Sequence, residues 1–336
     1  ASRARHDVSL PGEYKSRLPL PARIAGGTLR IFTGGARGRP GERLAKALEN
    51  LGPAYIKMGQ FLATRPDVFG VEATTDLSRL KDKLPPFPMK KAEAVLVDEF
   101  GEDEAARLFE GLGEPVAAAS LAQVHRLETP DGPRAVKILR PGIDTKIANE
   151  LRAMQRAARN IERVSADSRR LKPVAFTETI AASMTRELDL RLEAGGADEM
   201  RDISETDGFF QIPPVDWERT SQRVLTTGWA DGISLTDPAA LDAPNVDRAY
   251  LANCITRGFL SHAIIHGVFH ADMHEGNMIV TPEGKLALVD FGIVGRIGPN
   301  ERRFLAEILW GFIRRDYQRI AVVHFEAGYV PANQSV

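Results

Sequence analysis

HADMHEGNMIV (His270–Val280), followed by LVDFG (Leu288–Gly292), is the stretch that decides the fold. Asp272 and Asn277 stand five residues apart on a loop that enters an apolar strand. Asp290 closes a second short strand thirteen residues after Asn277. One carboxylate sits where a base would accept or orient a nucleophile's proton. An amide and a second carboxylate supply hard oxygen ligands of the kind Mg²⁺ takes, and the ion neutralises phosphate charge. Taken singly, each residue has a bland explanation, since Asp-Phe-Gly also occurs as an ordinary turn. Together, at this spacing and between apolar strands, they form a phosphoryl-transfer pattern. His270 and His274 have the i,i+4 spacing of a zinc pair, but no third ligand is evident, and hydrogen bonds that anchor the loop are the expected role.

Working outward, a kinase-type site also needs a strand lysine paired with a glutamate from a nearby helix. Ala135-Val136-Lys137-Ile138-Leu139 has the required pattern, with Lys137 set between apolar neighbours as a point charge for the α- and β-phosphates. An exposed strand lysine is the bland alternative. The glycine-rich cover G-x-G-x-x-G is missing. Its place is taken by Val116-Ala117-Ala118-Ala119-Ser120-Leu121-Ala122-Gln123-Val124, where each added Cβ restricts φ and holds the backbone farther from a phosphate. The nucleotide is therefore expected to be gripped differently, with phosphoryl transfer to protein impaired. Thr227–Ala230, at the end of an apolar strand, is expected to form an adenine-binding hinge that includes Trp229 and Ala230, against a purely structural Trp229. After Gly292 only IVGRIGPN precedes the next helix, too short for a peptide-presenting activation segment.

Periodicity supplies the rest. Apolar residues from Leu44 to Leu62 recur at helical steps across Gly41–Thr64, interrupted at Gly52-Pro53, which predicts a kink or two short helices. Further helices are expected over Val71–Leu84 and Pro88–Phe100. The texture then turns to a hairpin, Ala122–Glu128 and Arg134–Leu139 about Thr129-Pro130-Asp131-Gly132. Two long helices are expected over Thr145–Val164 and Val174–Met200, and a strand over Arg223–Trp229. A helix over Val246–His266, strands at Met278–Val280 and Leu286–Val289, and helices over Asn300–Arg314 and Asp316–Ala327 complete an α+β, two-lobed layout. The expected division is a basic arm (1–40), a helical extension (41–113), an N-lobe with inserted helices (114–230) and a C-lobe (231–336).

The chain has 336 residues, 43% hydrophobic and 26% charged, which excludes a disordered chain or a coiled-coil rod. A net charge of -1 does not point to nucleic acid, and the lone Cys254 fits a reducing, cytoplasmic setting. No apolar run approaches the roughly 18–20 residues that span a bilayer. Residues 1–50 carry ten Lys/Arg against four Asp/Glu. That arm reads either as packed on the body or as contacting an anionic membrane surface.

With these residues in place, the sequence resembles the UbiB/ADCK group of atypical kinases, linked to ubiquinone (coenzyme Q) biosynthesis. The match rests on Lys57-Met58-Gly59-Gln60 as the group's KxGQ, the alanine-rich loop, Glu187-Leu188-Asp189 as its ExD motif, and the Asp272/Asn277/Asp290 set. It covers about residues 40–330. The resemblance implies a bilobal protein-kinase-like fold whose KxGQ helices cover the active site. It implies ATP and Mg²⁺ as cofactors, with Asn277 and Asp290 on the metal, Asp272 as base and Lys137 paired with Glu193. Lys57 would engage Glu187 or Asp189, with Gln60 facing the same cleft. The implied activity is ATP hydrolysis supporting ubiquinone biosynthesis at the inner face of the membrane, in contact with quinone precursors or phospholipid and with other biosynthetic proteins. The alternatives are a phosphotransferase for a small molecule or lipid, and a non-catalytic nucleotide-gated scaffold. Bacterial members typically end in apolar membrane segments, which this chain lacks.

Overall fold

A computed structural model describes residues 39–331 except 79, 81–83, 165–168, 170 and 243–244, and also residue 334. The basic arm lies almost wholly outside the described residues. The rest is a mixed α+β chain that divides into two compact units, each built from separate stretches of sequence.

The first unit contains the described residues up to Val95, with Pro115–Val124 and Ile138–Leu188. Its helices are α1 (Pro40–Leu51), α2 (Pro53–Ala63), α3 (Pro66–Phe69) and α4 (Val71–Leu77), and α5 (Met89–Phe100) begins in it. Gly52-Pro53 does separate two helices, because proline is accommodated at a first helical position and glycine provides the turn. The helix expected to reach Leu84 ends at Leu77. Leu48, Leu77 and Leu80 form a small core, against which Tyr55, Met58 and Leu62 of α2 pack. The helices inserted after the third strand, α7 (Ile143–Val164) and α8 (Pro173–Glu187), pack on each other and on α2. Chain order would assign them to an N-lobe. Their contacts tie them to the KxGQ helix instead, since α7 buries Ile143, Ile147, Glu150 and Met154 along one stripe.

The second unit contains Leu96–Glu114, His125–Lys137 and the chain from Asp189 onward. A short helix α6 (Glu102–Leu108), not expected from sequence, lies in this unit, and the chain's four-stranded sheet, in the order β1-β2-β3-β4, draws its strands from stretches assigned to either unit. Its strands are β1 (Pro115–Ala118), β2 (Ala122–Thr129), β3 (Gly132–Leu139) and β4 (Val224–Gly228). The expected hairpin turn forms at Pro130-Asp131, with Gly132 at φ +103°. The single helix expected over Val174–Met200 is broken. α8 stops at Glu187, and α9 (Leu190–Asp207) starts afresh with the Asp189 carboxylate capping the Arg191 N–H. Then come β5 (Ile233–Ser234) and α10 (Arg248–Leu260), which runs into a π-helical turn at Ser261–His266.

The catalytic-type loop lies between short antiparallel pairs. β6 (Val268–His270) pairs with β9 (Val294–Arg296), and β7 (Met278–Val280) pairs with β8 (Leu286–Leu288) in the register Met278↔Leu288. Met200, Leu286 and Leu288, each at most 1% exposed, anchor the core beneath them. Each such side chain contributes about 1.5–3 kcal/mol of burial. Helices α11 (Pro299–Arg314) and α12 (Tyr317–Glu326) close the described chain.

Candidate functional site

In the second unit the ammonium of Lys137, on β3, lies 2.8 and 2.9 Å from the two carboxylate oxygens of Glu193 on α9. It is also 3.5 Å from Asp290 Oδ2. Burial by itself would lower the lysine pKa, but the Asp290 and Glu193 carboxylates outweigh it and the net displacement is upward. Lys137 is therefore a fixed cation. Its charge, against the opposing effect of burial, holds the Asp290 carboxyl below the usual carboxylate range.

Asp290 takes a left-handed backbone conformation, φ +62°, and its Oδ1 accepts the Gly292 N–H at 3.3 Å. Asp tolerates this region better than most residues, although it carries strain of order 1 kcal/mol. The turn leaves the Asp290 side chain 51% exposed beside a buried lysine–glutamate pair. Gly196 makes the approach possible. A Cβ there would fall 2.9 Å from Val294 Cγ2 and 3.5 Å from the Phe291 carbonyl, so any larger residue would push Val294 away from α9. Sequence reading passed over Gly196. Its signal was the Gly195-Gly196 pair inside an otherwise good helix.

The loop from β6 to β7 is braced from below. His270 is 2% exposed; its Nδ1 accepts the Asp272 N–H at 3.1 Å and its Nε2 faces the Val289 carbonyl at 3.4 Å. That pairing requires the neutral Nε2–H tautomer, and burial lowers the histidine pKa in the same sense. His274 Nδ1 accepts the Gly276 N–H. Both histidines thus hold the loop. Asn277 donates its amide to the Asp272 carbonyl at 3.0 Å, which leaves Oδ1 as a hard oxygen donor. Asp272 keeps 51% side-chain exposure, with its carboxylate 3.9 Å from His274 Nε2. Among the described residues no three His, Cys, Asp or Glu side chains converge as a metal site. One exposed carboxylate and an amide oxygen fit Mg²⁺, which usually takes one or two protein carboxylates and completes its shell with phosphate and water.

In the first unit Lys57, on α2, forms an ion pair with Glu187 of α8 at 2.6 Å, and Ser183 Oγ donates to the same oxygen at 3.1 Å. Asp189 is not its partner; that carboxylate is bound by Arg191 at 2.7 and 2.8 Å, which lowers its pKa. Gln60 is half-buried and makes no hydrogen bond among the described residues. Gly59 is closely packed against leucine side chains. A Cβ would fall 2.2 Å from Leu80 Cδ1 and 2.8 Å from Leu48 Cδ1.

The alanine-rich loop is pinned from behind by a residue that sequence reading missed. Arg140 donates to the Ala119 carbonyl at 2.8 and 2.9 Å and to the Pro85 carbonyl at 2.9 Å. Gln123, expected at the nucleotide, is 1% exposed, and its amide pairs with both the N–H and the carbonyl of Phe87. Ser120 and Ala122 are also buried, Ala118, Leu121 and Val124 are partly so, and Val116 and Ala117 are exposed. Gln123 is thus corrected from a ligand contact to an internal brace, because a buried amide takes the nearest unpaired backbone groups. Trp229 spends its backbone N–H on the Pro133 carbonyl at 3.0 Å and its ring lies 5.0 Å from the Arg126 guanidinium. Its backbone N–H is therefore already paired within the protein.

The description "ABC1 atypical kinase-like domain" matches residues 79–324. Among curated proteins, the chain is similar to "Probable protein kinase UbiB" of Marinobacter nauticus, 35% identical over 341 residues, covering 99% of this chain and 62% of that protein. The protein of the same name from Cellvibrio japonicus is 36% identical, over 100% of this chain and 61% of its own length. The Pseudomonas putida protein is 36% identical over 88% and 56%. The chain thus spans about 60% of the length of the curated relatives it matches. The solved structure of Rv3197 with erythromycin, from Mycobacterium tuberculosis, aligns with a TM-score of 0.57 and 22% identity over 94% of this chain and 78% of that one. That likeness is one of fold, and it agrees with the α+β, protein-kinase-like reading.

Proposed function

The chain belongs to the ABC1 atypical kinase-like family, and from that membership we propose that it binds ATP with Mg²⁺ and hydrolyses it in support of ubiquinone biosynthesis at the membrane. The observation that carries this reading is the cluster of Lys137, Glu193 and Asp290 within 3.5 Å of the lysine nitrogen. Glu193 orients Lys137, whose fixed charge meets phosphate oxygens. Asp290 and Asn277 would hold Mg²⁺, which supplies further neutralisation of phosphate charge when bound. The half-exposed Asp272 orients the attacking water and receives its proton. Val116 and Ala117 are the exposed loop residues from which nucleotide contact is proposed.

Protein phosphorylation is not part of the proposal. Between Gly292 and the start of α11 at Pro299 the chain forms β9, so this stretch is occupied by strand pairing rather than by a peptide platform. The exposure of Asp272 supports a second reading, in which the hydroxyl of a small molecule or lipid replaces water. No helix among the described residues is long and apolar enough to cross a membrane.

The test is Mg²⁺-dependent ATP turnover with and without anionic liposomes, for wild type and Asp290→Asn. Liposome-stimulated hydrolysis that the variant lacks supports the proposal. Tight nucleotide binding with no turnover in any condition overturns it in favour of a nucleotide-gated scaffold. Phosphorylated lipid or quinone precursor in the products selects the second reading.

A further inference from the structure

The Gly52-Pro53 break reads in sequence as a kink or a junction of two short helices, and nothing in the proposed reaction uses it. Its atoms do something more specific. Gly52 occupies the N-cap position of α2 and has no side chain with which to accept a bond from the first turn. Pro53, the first helical residue, has no N–H. The first N–H that needs a partner is Ala54's, and Ala54 is 0% exposed, so bulk water cannot serve it. The partner is Glu150 Oε2, 2.9 Å away and 96 residues further along the chain, from the middle of α7. Glu150 is itself only 9% exposed.

Residue 52 must be glycine for two separate reasons. Its φ is +126°, which L side chains rarely adopt, and a Cβ there would fall 2.0 Å from Glu150 Oε1 and 2.7 Å from its carboxyl carbon. The carboxylate also lies where the helix N-terminus carries its partial positive charge. Lys57 follows Ala54 by one turn of the same helix and ends on Glu187 of α8. So α2 is held by carboxylates from both inserted helices, one at its backbone start and one at the Lys57 ammonium.

We propose that Glu150 is a positioning residue for Lys57, a buried carboxylate that takes the place of the missing cap and sets where α2 starts, so that Lys57 reaches Glu187. The proposal rests on the reading of Lys57 as a functional residue of the nucleotide reaction. A cap serving stability alone is the competing account.

The experiment compares wild type with Glu150→Gln, Glu150→Ala, Lys57→Ala and the double variant Glu150→Ala/Lys57→Ala. It records ATP affinity, kcat and KM, and hydrogen exchange at the Ala54 to Met58 amides. Glu150→Gln still accepts the Ala54 N–H and stays within about twofold of wild type. Glu150→Ala speeds exchange of the Ala54 amide and moves the nucleotide parameters about fivefold in the direction of Lys57→Ala. The double variant is no worse than Lys57→Ala alone. Met154→Ala, a cavity on the same buried stripe of α7, lowers stability without moving those parameters.

Faster exchange with unchanged kinetics in Glu150→Ala, while Lys57→Ala shifts them, overturns the positioning role and leaves a stability cap. Unchanged kinetics in Lys57→Ala overturns the reading of Lys57, and the proposal with it. Should Glu150→Ala fail to fold, Glu150→Asp decides, because a carboxylate one methylene short must reproduce the shift that Glu150→Gln does not.

Discussion

The Nζ of Lys137 lies 2.8 and 2.9 Å from the two oxygens of Glu193, across 56 residues of sequence, with the glutamate 9% exposed. A carboxylate this buried has little access to water, and the lysine supplies a countercharge and a hydrogen bond to each of its oxygens. Removing either member deprives the other of its principal countercharge at a site with little access to water.

Lys137→Met therefore lowers stability by about 3 kcal/mol, the low end of the range for a broken buried pair because Asp290 and part of the lysine remain exposed. Turnover falls by about a hundredfold or more, as expected when a phosphate-binding charge is lost. The double variant Lys137→Met/Glu193→Leu recovers much of the stability and none of the turnover. Denaturant unfolding beside turnover separates the two effects.

Asp290→Asn keeps the left-handed turn, since Asn also tolerates positive φ, but removes the charge. The wild-type carboxyl is held below its ordinary range by Lys137. Its contribution is thus present above the unfolded pKa of about 3.9 and is lost as pH falls through the lower folded value. The stability advantage of wild type over Asp290→Asn shrinks as pH falls from about 5 through the lowered folded value. Urea titrations at several pH values check the slope, and a growing advantage in acid contradicts the assignment.

Glu150 behaves in the opposite sense. Burial pushes its carboxyl up, against the opposing pull of the Ala54 N–H and Lys146. What it contributes is fully present below the ordinary glutamate pKa of about 4.3 and is lost as pH rises through the folded value. Glu150→Gln abolishes this titration, so its stability relative to wild type improves from about pH 4 to pH 7. Thermal unfolding of both proteins across that range is the measurement.

Gly59→Ala tests packing within the KxGQ motif. The new methyl would sit 2.2 Å from Leu80 Cδ1, in a core where Leu48 closes the other side. Overpacking of this kind costs about 1–3 kcal/mol. A melting temperature equal to wild type would mean that Leu80 simply rotates away.

Gly196→Ala displaces Val294, and with it the turn that carries Asp290. Turnover falls several-fold, more than the loss of stability accounts for, and raising Mg²⁺ recovers part of it. A variant with wild-type kinetics would show that the close approach of α9 is not required.

Much of the candidate site was legible because it is local. The His270–Val280 and Leu288–Gly292 stretches place acid, amide and acid at fixed offsets around short apolar strands, and β7 and β8 form where that pattern puts them, while β6 was not expected. Most of the longer helices follow from three- and four-residue apolar steps, while the short α3 and α6 carry too few apolar positions to show a period, and Gly52-Pro53 ends one helix where proline chemistry requires. The break at Leu188-Asp189 was less legible, because the apolar spacing runs on through it and only the Asp189 cap reveals it.

Partner choice is a different matter. Glu150, Glu187 and Glu193 are three glutamates on helices, indistinguishable by spacing or propensity. Family resemblance suggested partners for two of them, and no local rule could. Tertiary packing decided that one meets a backbone N–H, one Lys57 and one Lys137. It likewise turned Gln123 inward to Phe87 and brought Arg140 onto the Ala119 carbonyl. The sequence by itself determined which residues could carry the chemistry and which segments would be helix or strand, since dihedral preference and hydrophobic period act over a few neighbours. Only the tertiary structure decided which charges are paired, because that depends on which side chains are buried together, and burial is set by contacts up to about a hundred residues apart.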